Sequence, residues 1–122
     1  MLIDTSVVID LSRGSAEARA FIEDMAGPPA VSVMTATEVL RCARTKSESR
    51  LFERLFQAWT VIPFDLEIAQ SAARLTTDYA DGQRRVDMID ALIAATAMSH
   101  GMELATVDTG RFPMFPDLAP AY

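Results

Sequence analysis

The chain has 122 residues, half of them hydrophobic, with only five Gly and six Pro, the size and composition of one folded domain with a real core. A formal charge of −6 argues against indiscriminate coating of nucleic acid, and a lone cysteine, Cys42, rules out an internal disulfide or a cysteine-built metal site. The apolar runs fall far below the roughly 18 residues of a membrane span, and Met1-Leu2-Ile3-Asp4 has no basic leader region, so a reduced, cytoplasmic protein is expected.

In chain order, Met1 to Asp4 is too short for a helix before the Thr5-Ser6 capping signals, and predicts a buried strand ending at Asp4. Ser6 to Ser12 reads as a turn or two of helix. A second helix from about Ser15 to Met25 stops at Gly27-Pro28-Pro29. Ala30 to Val33 is a short strand and Thr35 to about Ala43 a helix. Ser47 is the expected cap of the next helix, whose apolar stripe is Leu51, Phe52, Leu55 and Phe56.

Trp59 to Phe64 predicts a third strand. Asp65 then caps a helix with Ile68, Ala72, Leu75 and Tyr79 on one face, ending at Asp81-Gly82. Asp87 opens a helix to Ser99 that is apolar on most sides, with Gly101 as its C-cap glycine. Glu103 to Val107 is a fourth strand and Leu118 to Tyr122 a weak fifth. Strands alternating with helices, without hairpin signals, predict an α/β domain over residues 1–122: a mainly parallel sheet covered by helices on both faces.

In such sheets functional groups collect at the carboxyl ends of the strands, and four acids fall there. Asp4 closes the first strand. Thr5 and Ser6 can serve as helix caps, so its acid is not needed for that task. Glu38 sits in Thr35-Ala36-Thr37-Glu38, which by itself reads as a capping box. Asp90 lies on an apolar helix between Ile89 and Leu92, where a carboxylate is costly unless it is paired, hydrogen-bonded or metal-bound. Asp87, three residues earlier, is the better N-cap and Asp90 the better ligand. Asp108 follows the fourth strand, and on its own fits a turn acid before a short helix.

Four gathered carboxylates repel one another, and an oxygen-only ligand set suits Mg²⁺ or Mn²⁺. The only histidine, His100, lies at a helix end, which argues against zinc and excludes Ser-His-Asp and Cys-His catalysis. No glycine-rich phosphate cradle is present. Hydrolysis here would use metal-activated water.

Taken together, Leu2-Ile3-Asp4-Thr5-Ser6-Val7-Val8-Ile9, Thr37-Glu38-Val39-Leu40, Asp90 to Ala97, and Leu104-Ala105-Thr106-Val107-Asp108 with Phe112 resemble the PIN-domain family, and especially its VapC-type toxins. The resemblance implies a three-layer α/β/α sandwich with about five strands and Mg²⁺- or Mn²⁺-dependent endoribonuclease activity. It makes Asp4, Glu38, Asp90 and Asp108 the catalytic metal cluster, with Ser6 and Thr106 as supporting hydroxyls. It also implies a homodimer restrained by a small antitoxin, in a toxin–antitoxin hetero-oligomer with RNA as the substrate of the toxin. Asp87 is an extra acid beside this set.

Two other readings compete. A phosphoacceptor receiver domain is also α/β with metal-binding acids, but it needs a lysine after the fifth strand, and the single lysine, Lys46, lies elsewhere. A degenerate PIN domain acting only as a binding module conflicts with the presence of all four acids. The basic run Arg41, Arg44, Lys46, Arg50 and Arg54 is either an RNA path or a solvated, dimer or antitoxin surface.

Overall fold

The computed structural model describes residues 1–82 and 84–122. Its centre is a parallel sheet built from β1 (Leu2–Ile3), β2 (Ala30–Ser32), β3 (Thr60–Ile62) and β4 (Leu104–Ala105), in the order β3-β2-β1-β4. Leu2 pairs with Ala30 on one side and Leu104 on the other, while Val31 faces Val61 across the β2–β3 ladder. Because side chains alternate along a strand, the sheet feeds two cores. Leu2, Ala30, Ile62 and Leu104 pack with Ile93, Ala94 and Ala97; Ile3, Val31 and Ala105 pack with Val7, Val8, Val39 and Phe52.

Among the described residues there are six helices, α1 (Thr5–Ser12), α2 (Ala16–Glu23), α3 (Val33–Cys42), α4 (Lys46–Ala58), α5 (Leu66–Asp78) and α6 (Met88–Ser99), and α1, α3, α4 and α6 supply those partners. α6 covers the first face. It is buried from Asp90 through Ala97 because α5 packs on its other side through Ile68, Ala72, Ala91, Leu92 and Ala95. α1, α3 and α4 cover the second face, so the expected layering and parallel sheet are present.

Three details differ from the sequence reading. α4 is capped by Thr45 rather than Ser47, with the Glu48 N–H donating to the Thr45 hydroxyl at 3.0 Å. α3 starts at Val33, capped by Ser32, which displaces the Thr35–Glu38 capping box into the helix body. Among the described residues the sheet has four strands, not five: Leu118 to Tyr122 forms no strand and makes one backbone bond to the end of β4, Ala121 N–H to the Thr106 carbonyl at 2.8 Å. Pro120 has no N–H to give, so a ladder cannot propagate there.

Gly101 behaves as expected. Its φ of +60° ends α6, and the Met102 N–H reaches back to the Ala97 carbonyl at 2.9 Å. That closure turns the chain directly into β4, and so sets where Thr106 and Asp108 emerge.

Candidate active site

Asp4 leaves β1 at the carboxyl edge of the sheet and is fully buried. Its Oδ2 accepts from the Ser6 hydroxyl at 2.7 Å, the Thr106 hydroxyl at 2.8 Å and the Ser6 N–H at 3.3 Å. Asp4 is therefore the N-cap of α1 itself, contrary to the expectation that Thr5 or Ser6 would take that duty. The Thr5 hydroxyl is committed elsewhere, since it donates to Glu38 Oε2. Capping uses only one carboxylate oxygen. Asp4 Oδ1 is buried and, among the described residues, is the sole buried side-chain polar atom without a hydrogen-bond partner.

Ser6 and Thr106 form a small hydroxyl lattice around that carboxylate. Their oxygens lie 3.2 Å apart, Val107 N–H donates to Ser6 Oγ at 3.2 Å, and Asp108 N–H donates to Thr106 Oγ1 at 3.0 Å. This lattice ties the end of β4 to the start of α1 and fixes how Asp4 points. Glu38, half-buried in the second turn of α3, is aimed by Thr5 rather than by a capping box.

Asp90 is buried in the first turn of α6. Arg111, in the short 3-10 turn Thr109–Arg111 after β4, grips it with two hydrogen bonds: Nη2 to Oδ1, and Nε to Oδ2 at 3.1 Å. Burial lifts the Asp90 carboxyl above its usual range, Arg111 pulls it down, and the charges of Asp4 and Asp87 add to the rise. For Arg111 burial acts downward, but the Asp90 bond and the charges of Asp90, Asp4 and Glu38 outweigh it and hold the guanidinium more firmly protonated. Asp4, Glu38, Asp90 and Arg111 thus share one electrostatic neighbourhood.

Asp108 stands apart from that group. It is exposed at the mouth of β4, at the N-cap position of the Thr109–Arg111 turn, without a side-chain capping bond. Asp87 occupies the N-cap position of α6, also without a side-chain capping bond. Among the described residues no three acids, histidines or cysteines converge closely enough to hold a metal as placed. The positive charge at this point comes from Arg111. His100 sits at the end of α6 with Nδ1 3.1 Å from the Thr96 carbonyl oxygen, remote in role from the acids. Sequence reasoning missed Thr5 and Arg111. Only the expected cost of an unpaired Asp90 hinted that a partner existed.

Comparison with known proteins settles the family. The PIN domain family matches residues 1–117. The chain belongs to the PIN-domain family. Ribonuclease VapC19 of Mycobacterium tuberculosis is 36% identical over 99% of this PIN domain and 98% of its own length. Ribonuclease VapC10 of the same organism is 35% identical, covering 100% and 92% respectively. A toxin–antitoxin complex from Klebsiella pneumoniae contains a chain 29% identical to this PIN domain with a TM-score of 0.85, covering 99% of one chain and 97% of the other.

Proposed function

We propose that this PIN domain is a Mg²⁺- or Mn²⁺-dependent endoribonuclease, the toxin of a toxin–antitoxin pair. End-to-end similarity to VapC ribonucleases supports the reaction class, and similarity to a chain of a toxin–antitoxin complex supports the partner. The observation that carries the metal site is Asp4, whose Oδ2 is saturated by three donors while its buried Oδ1 has none. A buried carboxylate oxygen without a donor is costly in a protein interior and fits a hard cation.

In this reading Asp4, Glu38, Asp90 and Asp108 hold the metal. Held by these residues, a Mg²⁺ or Mn²⁺ would supply Lewis-acid polarisation of the scissile phosphate and a water nucleophile near neutral pH. The protein's own contribution is orientation. Ser6 and Thr106 fix Asp4 through Oδ2 so that Oδ1 stays available, and Thr5 fixes Glu38. With no histidine near the acids, proton transfer falls to the carboxylates and to water. Exposed apolar side chains at Phe64 and Leu66, 49% and 72% exposed, suit burial in a homodimer or under the antitoxin.

The deciding experiment is cleavage of RNA by the purified protein with Mn²⁺, with chelator, and with Asp4→Asn. Cleavage should require the metal, leave 5′-phosphate ends, and vanish in Asp4→Asn while circular dichroism stays unchanged. Undiminished cleavage in excess chelator would remove the metal from the mechanism. A protein inert with every divalent ion would instead favour a degenerate domain that only binds.

A further inference from the structure

Arg111 has no part in hydrolysis as described above, yet it is the positive charge that sits among the acids. Its grip engages both oxygens of Asp90, and its charge also acts on Asp4 and Glu38. A divalent cation using Asp90 would share that carboxylate with a guanidinium, and two cations on one carboxylate repel. The two partners differ in freedom. Asp90 is anchored on a packed helix, whereas Arg111 stands on a three-residue turn with its side chain 30% exposed. Arg111 is the partner that can withdraw.

We propose that Arg111 is an internal counter-ion that competes with divalent metal for Asp90, so that the site loads only as Arg111 lets go. The inference rests on the metal-site reading above. It gives the buried Asp90 a neutralising partner from within the chain when no metal is bound. It also makes apparent metal affinity a product of intrinsic affinity and the fraction of molecules with Asp90 released.

The test is calorimetric titration of Mn²⁺ into the folded full chain, with Arg111→Gln and Arg111→Lys alongside, and melting temperatures with and without metal. Arg111→Gln should bind Mn²⁺ about fivefold or more tightly, within the usual range of coupling between sites. Its metal-free melting temperature should fall, because Asp90 is left buried without its partner, and Mn²⁺ should restore it. Arg111→Lys keeps the charge but loses the two-pronged grip, so its affinity should rise part-way; it also decides the matter if Arg111→Gln does not fold. Wild-type binding with unchanged or weaker affinity in Arg111→Gln overturns the inference while leaving the metal site standing. Arg111→Lys indistinguishable from wild type also overturns it, since then charge at a distance and not competition sets affinity. No Mn²⁺ binding by wild type or either variant overturns the metal site and this inference together.

Discussion

The two oxygens of Asp4 differ in their surroundings, and so do the two acids at the start of α6. Asp87 is exposed and makes no capping bond, whereas Asp90 is buried and paired with Arg111. Asp87→Asn should therefore leave stability within a few tenths of a kcal/mol, the usual scatter among good caps, and spare most RNA cleavage. Asp90→Asn should abolish cleavage; equal losses in the two variants, in an RNA assay run side by side, would refute the assignment. Asp90 also carries a pH signature. Because burial raises its folded-state pKa above the unfolded value of about 3.9, the folded protein holds that proton more tightly. The stability of wild type relative to Asp90→Asn should thus be poorest at neutral pH. It should improve as pH falls through the raised value, then level off below about 4. Thermal melts of both proteins from pH 7 to pH 4 would show it, and a gap that moved the other way would refute it. The sequence made Asp90 conspicuous because an acid amid Ile89, Leu92 and Ile93 demands a partner. It did not identify Arg111, since a contact across 21 residues depends on how the turn after β4 lies against α6.

Element by element, legibility followed the strength of local signals. Asp65 caps α5 as its position predicted, with Ile68 N–H donating at 2.8 Å, and the all-round apolar character of α6 matched its burial on both sides. The misreadings arose where two residues within three positions of each other offered the same chemistry. Ser32 and Thr35 both fit the start of α3, Thr45 and Ser47 both fit the start of α4, and backbone geometry made the choice. The C-terminal segment was misread for another reason: Leu118 to Tyr122 carries only a weak strand signal, and Pro120 has no N–H to give, so its pairing stops at the single Ala121–Thr106 bond. Tyr122 secures that segment by donating its hydroxyl to Asp10 at 2.9 Å and packing its ring 5.9 Å from that of Phe21. Tyr122→Phe should cost about 0.5–1 kcal/mol, one exposed hydrogen bond, and Tyr122→Ala distinctly more, because the aromatic contact goes too. Urea unfolding of the two variants checks this. Equal losses would mean that the ring contributes nothing.

For the whole molecule the proposed activity requires a chain of charge −6 to engage a polyanion. Repulsion between RNA and the protein's general field has to be offset locally, and the basic run is the densest positive feature available. Arg41, Arg44, Lys46, Arg50 and Arg54 are all exposed, so each is free to meet solvent, phosphate or a partner protein. They are not equivalent. Arg44 already pairs with Glu48 at 3.4 Å, whereas Arg50 and Arg54 have no ion-pair partner among the described residues. If the run is an RNA path, Arg50→Gln should flatten the logarithmic salt dependence of RNA binding by roughly 0.7, the share of one phosphate contact on a single strand. Arg44→Gln should flatten it less, since Glu48 already neutralises part of that charge. Mn²⁺ affinity should hold in both variants, because the carboxylates at the sheet edge are untouched. The measurement is RNA binding across a salt series, using Asp4→Asn as background to prevent cleavage. Salt slopes that stay constant in both variants, while dimerisation or antitoxin binding changes, would assign the run to a protein interface and leave RNA recognition to the groove around the acids.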